Sequence, residues 1–336
     1  MRLVSLCPSI TELLHDLDAA GAVVGRTKFC VHPAPWVLGI EAVGGTKNPR
    51  LDRIIALAPD LVLMNEEENR ADDAQALREA GVAVHSSMPR TVTDTAQMVR
   101  SIAHAIGRVA EGERIATDIE RRSQRVAQRA ASLAEVSYAY LIWRDPWMTV
   151  NHDTFISAML ALAGGRNAFG AAGDRYATVT IDQLRAASPD VVFLSSEPFP
   201  FAAKHVEELC ALTGWAPARF VLADGELLSW HGSRTPAGID YAESLLAAVR
   251  SARAVSGFAA FASTMPGYAA SCRSMRARAR SLDGTSSDTV PADACTSSYA
   301  AFVSGPNSSI GMRRPVSVKR GVNTSPSSCT TWLAWK

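Results

Sequence analysis

The chain holds only six cysteines in 336 residues, and no two of them form a CxxC pair. Neither a zinc ribbon nor a disulfide framework is indicated. Cys7, Cys30 and Cys210 lie in the body, and Cys272, Cys295 and Cys329 lie near the C-terminus. No apolar run approaches the roughly 18 residues of a membrane span. No signal peptide is legible either: Met1 is followed almost at once by LVSL, which reads as a first strand. As written the chain reads as cytoplasmic, or its true start lies upstream. A formal net charge of +1 excludes a global bias toward nucleic acid or an anionic membrane. GxSxG, HExxH and Walker patterns are absent, and Gly44-Gly45 is no dinucleotide fingerprint. A nucleophilic Cys30 with His32 or His231 lacks an identifiable orienting group. The chain therefore reads as a non-enzyme that requires no cofactor.

What is present is a two-part α/β pattern. The length suits one large or two medium domains, and 47% hydrophobic residues allow a sizeable core. Short apolar strands alternate with helices, which argues for a parallel sheet. Glu113 to Glu135 reads as one long helix, free of Pro and Gly, with Gly112 at its start. Ile115, Ile119, Val126, Ala130 and Leu133 fall at helical spacing. At about 1.5 Å per residue the helix spans roughly 35 Å, enough to bridge two bodies. LDRIIALAPDLVLMNEE from Leu51 aligns without a gap under IDQLRAASPDVVFLSSE from Ile181. Asp52, Pro59, Asp60 and Glu67 thereby pair with Asp182, Pro189, Asp190 and Glu197. Two equivalent lobes joined by one helix follow. The expected organisation is an N-terminal lobe over 1–112, a bridging helix over 113–135 and a second lobe over 136–250. The Ser-, Ala- and Arg-rich stretch 251–336 reads as a disordered or frame-shifted tail.

The ordered series VSLCPSITELL, VVGRTKFCVHP and VGGTKNPRLDRIIALAPDLVL resembles the substrate-binding proteins of vitamin B12 and iron-siderophore ABC importers, the helical-backbone metal receptors. The resemblance covers about Met1 to Arg250, and its cobalamin-binding branch looks nearest. It implies two Rossmann-like lobes bridged by a single long α-helix, a class III periplasmic-binding-protein-like fold. It implies a monomer that carries a small-molecule metal complex to an ABC permease of the B12/iron type, with no nucleic-acid partner. It also implies a periplasmic location, at odds with the lack of a legible signal peptide. One acidic residue per lobe docks to the permease in such proteins, and the matching positions are Asp52 and Asp182. Without that role, both are solvated first-turn carboxylates favoured by the helix dipole.

Ligands of open α/β sheets bind beyond the carboxyl ends of the strands. Lobe one offers Ser9, Phe29, Cys30, His32, Glu66, Glu67 and Arg90 there. Lobe two offers Trp143, Arg144, Trp147, Tyr176, Glu197, Phe199, Phe201, Trp230, His231 and Arg234. The aromatics suit the wide apolar walls that a corrin needs. Cys30, His32, Glu67, Glu197 and His231 are metal-ligand types, and Cys30 and His32 lie two apart in one loop, a spacing that puts both on the same side of an extended segment. A bound cobalamin or metal ion would be cargo rather than cofactor. The three consecutive carboxylates Glu66, Glu67 and Glu68 form either a solvated loop or a binding edge, and Arg90, Arg144 and Arg234 are available to neutralise them. The alternative function is a cytoplasmic chelatase-like enzyme of metal or corrinoid metabolism using His32, Glu67 and His231.

Overall fold

The computed structural model describes the backbone of residues 1–264 and the side chains of residues 1–254. Apart from its first residues, the tail expected over 251–336 lies outside the described residues. In chain order the first lobe comprises β1 (Leu3–Ser5), α1 (Pro8–Asp16), β2 (Val23–Arg26), β3 (Glu41–Ala42), α2 (Leu51–Ala56), β4 (Leu61–Asn65), α3 (Ala71–Glu79), β5 (Val84–Ser87) and α4 (Val92–Ala105). Helix α5 (Val109–Ala130) bridges to the second lobe. That lobe comprises β6 (Val136–Trp143), β7 (Met148–Val150), α6 (Phe155–Leu162), β8 (Gly165–Asn167), β9 (Tyr176–Thr178), α7 (Ile181–Ala187), β10 (Val191–Ser195), α8 (Ala203–Thr213), β11 (Phe220–Ala223), α9 (Gly225–Ser229) and α10 (Thr235–Thr264).

The first sheet is parallel throughout, in the order β3-β2-β1-β4-β5. The second runs β11-β10-β6-β7-β9, with β8 also pairing with β6. Strand β7 is antiparallel to both β6 and β9. A reading based on alternating helices and strands misses this, because a tight hairpin needs no crossover helix.

The repeat has a physical basis in the structure. Asp60 Oδ2 accepts the backbone N–H of Arg2 at 2.6 Å, and Asp190 Oδ2 accepts that of Ser137 at 2.8 Å. Each aspartate thus clamps the chain entering its lobe's first strand. The residues before the two prolines, Ala58 and Ser188, both turn through positive φ, at 45° and 39°. The side chain that ends each paired strand then caps the following turn. Asn65 Oδ1 accepts the Glu67 N–H at 3.0 Å, and Ser195 Oγ accepts the Glu197 N–H at 3.3 Å.

The bridging helix starts four residues earlier than its sequence signals suggest. Gly112 lies inside it and does not mark its start. A Cβ there would sit 2.2 Å from Ala103 Cβ, so glycine is what allows α4 to lie against α5. Gly112, Ile115, Ala116, Ile119 and Val126 form the buried stripe of α5. On the other side, Arg122 and Arg125 both pair with Asp240 of α10, and Arg129 pairs with Glu243 at 3.2 Å. One continuous hydrophobic core runs from Leu3 and Leu14 through Ile102, Ile119 and Tyr138 to Leu246. Both lobes share this core with the bridging helix, which restricts how far they can swing apart. A second cluster around Leu194 and Leu209 serves lobe two, and a third around Val4 and Val62 serves lobe one.

Candidate functional site between the lobes

At the seam between the lobes stands His231, buried, on the segment that follows α9. Its Nδ1 lies 3.4 Å from Ser9 Oγ of lobe one, and its Nε2 lies 3.0 Å from the Asn65 side-chain nitrogen. Asn65 fixes the direction of that bond. Its Oδ1 already accepts the N–H groups of Glu67 and Glu68, at 3.0 and 3.1 Å. The amide nitrogen therefore faces the ring, so His231 Nε2 accepts and Nδ1 carries the proton. Burial holds the imidazole neutral, down to about 4, against the opposing pull of the Glu67 charge.

Glu67 reaches from the end of β4 to lobe two. Arg175 donates to its Oε1 at 2.8 Å, and the Tyr176 hydroxyl donates to the same oxygen. Arg175 also pairs with Asp153 at 2.8 Å, and Asp153 pairs with Arg90 of lobe one at 3.2 Å. Elsewhere in the cleft Arg234 donates to Glu12 of α1 at 2.8 and 2.7 Å, and also to Glu226. His32 Nε2 is 3.4 Å from Glu226, and its ring meets Trp230 edge-on at 5.6 Å. Glu226 and Trp230 belong to lobe two.

Glu68 is half-buried as a residue, and its carboxyl group is the part that is desolvated. That burial pushes it up to about 7, against the pull of Lys47, with Glu67 and Glu197 adding to the rise. Glu197 accepts from Ser229 Oγ at 2.7 Å and Trp230 Nε1 at 2.9 Å. Burial raises its pKa as well.

The structure thus brings Ser9, Glu67, Arg90, Tyr176, His231, Trp230, His32 and Arg234 to the seam between the lobes, and Phe29 stands exposed beside Lys28. The five residues read as metal-ligand types are not gathered at one point. Among the described residues no three His, Cys, Asp or Glu side chains gather as a metal site. Cys30 is buried against the Thr11 and Thr27 hydroxyls at 3.0 and 3.2 Å, while His32, two residues on, faces Glu226 and Trp230. The loop after β2 is not extended, so alternation does not put the two on one side. Glu67, Glu197 and His231 each hold other partners, and a chelatase centre built from His32, Glu67 and His231 is not assembled.

The aromatic wall is also divided. Trp147 stacks on Phe201 at 6.2 Å, Phe199 meets Phe201 at 4.8 Å, and both phenylalanines meet His205. Trp143 meets Phe199 at 5.7 Å. Phe201, with Phe199 and Trp147 packed against it, belongs to the second core of lobe two, and Arg144 pairs with Glu208 at 2.8 Å. Trp230 and Tyr176 reach lobe-one side chains, His32 and Glu67. Asp52 and Asp182 are exposed in the first turns of α2 and α7.

Sequence reading missed Glu12, Asn65, Asp153, Arg175 and Glu226 as site residues. Asn65 opens the acidic run NEEEN, and that position at a strand end was the available signal. The other four carry no local signal, because each is placed by contacts distant in sequence.

Residues 3–218 match the family described as Periplasmic binding protein. The vitamin B12-binding protein of Vibrio cholerae is 26% identical over 194 residues, which is 58% of this chain and 70% of that protein. The vitamin B12-binding protein of Photorhabdus laumondii is 25% identical over 195 residues, again 58% of this chain and 70% of the relative. Among solved structures, the periplasmic vitamin B12 binding protein BtuF of Vibrio cholerae superposes with a TM-score of 0.65 at 23% identity, over 74% of this chain and 97% of its own. The periplasmic heme-binding protein RhuT from Roseiflexus sp. RS-1 gives a TM-score of 0.65 at 25% identity, over 75% and 98%.

Proposed function

The chain belongs to the periplasmic binding protein family, and on that premise we propose that it carries a cobalamin-like corrinoid between its lobes and delivers it to an ABC permease. The observation that carries the choice of cargo is the state of the donors near the cleft. A haem iron takes an axial donor from its protein. Both ring nitrogens of His231 are engaged, the Cys30 thiol is held by two hydroxyls, and the Tyr176 hydroxyl donates to Glu67. A cobalamin brings its own axial base and asks of the protein only walls and hydrogen bonds. Trp230, Phe29, Ser9 and the polar groups around Asn65 supply these.

A second reading, an iron complex or haem, rests on His32, which is 39% exposed beside Trp230. Calorimetric titration of the purified chain with cyanocobalamin and with hemin separates the two. Corrinoid cargo requires saturable binding of cyanocobalamin at or below about 10 μM. Absence of such binding, together with a hemin absorption band that shifts in the wild type and not in His32→Ala, would establish the second reading and sink the first.

In this proposal the protein acts outside the cytoplasmic membrane as a monomer, performs no catalysis and needs no resident cofactor. None of the described helices is long and apolar enough to cross a membrane. Asp52 and Asp182 are the permease contacts, and their exposure at equivalent places on the two lobes supports this. A variant carrying Asp52→Ala and Asp182→Ala should bind cargo normally and fail to deliver it. Undiminished uptake would remove the docking role.

A further inference from the structure

Two chains of ionisable side chains cross the cleft, and each crosses it twice. The first runs from Glu67 of lobe one to Arg175 and Asp153 of lobe two and back to Arg90. The second runs from Glu12 to Arg234 and Glu226 and back to His32. In both, an arginine of lobe two is the link held by acids on either side. We propose that Arg175 and Arg234 are the closing residues of two clasps that part to admit cargo, so that they set its rate of entry and exit. The inference rests on the cleft being the cargo site.

Three observations support it. The lobes share one core through the bridging helix, so a wide hinge motion would have to break that core. Adjustment at the rim is the cheaper route. The outer links of the clasps, Arg90 to Asp153 and His32 to Glu226, are well exposed, and such pairs are individually weak. The first clasp also carries a polar atom that gains by opening. Arg175 Nε is buried without a hydrogen-bond partner. Water satisfies it when the seam parts, which offsets part of the lost attraction.

The test uses the full chain with Arg175→Ala, Arg234→Ala and the double variant. The first readout needs no cargo. Amide exchange at residues 65–69 and 229–233 should accelerate about tenfold or more in the double variant, while β1 and β10 keep their protection. The second is stopped-flow binding of cyanocobalamin, in which association and dissociation should both accelerate about tenfold. Unchanged exchange in the cleft segments refutes the clasps. So does a rise spread evenly over the molecule, which would mean general destabilisation. Unchanged association with faster dissociation alone would make the arginines cargo contacts, not closing residues. If cyanocobalamin binds no form of the protein, the exchange readout still decides on the clasps and the failure belongs to the cargo assignment. Should the alanine variants melt early, Glu67→Gln and Glu12→Gln cut the same links with little change of shape, and the same outcomes apply.

Discussion

Acidification should loosen the molecule through His231, by an amount that the structure allows to be worked out. The ring accepts from Asn65 and carries its proton toward Ser9. A second ring proton would point at the N–H of the Asn65 amide, with no acceptor in place. Burial lowers the folded ring to about 4 from the ordinary 6.5 of a histidine. Between those values the unfolded chain binds more protons than the folded one. Stability is therefore fully present above about pH 6.5 and lost as pH falls through about 4. The gap corresponds to roughly 3 kcal/mol. Glu68 works in the opposite sense. Its folded carboxyl titrates at about 7 instead of 4.5, so its contribution is present at low pH and lost as pH rises toward neutrality, by a similar amount. The two contributions therefore have opposite slopes over an overlapping pH range. Urea unfolding from about pH 4 to about pH 7.5 on wild type and His231→Gln separates them. The wild-type advantage should shrink by roughly 3 kcal/mol as pH falls. A difference curve that stays flat would refute the buried neutral imidazole, whatever the constant offset between the two proteins.

Glu68→Gln should do the converse, gaining up to about 3 kcal/mol relative to wild type on going from pH 4.5 to pH 7; a pH-independent difference contradicts the enclosed carboxyl. Gly112→Ala should lower stability by about 1–3 kcal/mol in denaturant melts, since overpacking against Ala103 outweighs the helix propensity of alanine. An unchanged or raised midpoint would mean that α4 and α5 can separate freely. Asn65→Ala strips partners from two backbone N–H groups and from His231, and should cost about 2–4 kcal/mol in the same melts. A loss within 0.5 kcal/mol, the usual scatter of a neutral surface change, would show that water replaces all three.

The architecture was legible wherever local chemistry repeats. Pro59 and Pro189 end helices, Asp60 and Asp190 clamp incoming strands, and the gapless match between them announced two lobes before any contact was known. Gly112 was misread because a glycine near a helix start and a glycine at a helix crossing look alike in one dimension. Only the 2.2 Å approach to Ala103 tells them apart. Cys30 and His32 were misread for a related reason. Spacing of two predicts one side only in an extended strand, and their loop sends one inward and the other to the seam.

The site was hardest to read because it lies where the two lobes stop resembling each other. Glu67 and Glu197 occupy equivalent positions after equivalent turns, yet Glu67 crosses to Arg175 and Tyr176 while Glu197 stays within lobe two on Ser229 and Trp230. The difference comes from lobe two's own additions: the turn holding Asp153, the segment before β9, and the stretch from Glu226 to Arg234. Those segments supply both arginines, both bridging acids and His231, and apart from Tyr176 at the start of β9 every cleft-crossing contact described above ends on one of them. Within a duplicated scaffold the shared residues fix where the cleft is. The unshared ones decide what closes it, and a pattern search that rewards similarity between halves passes over them.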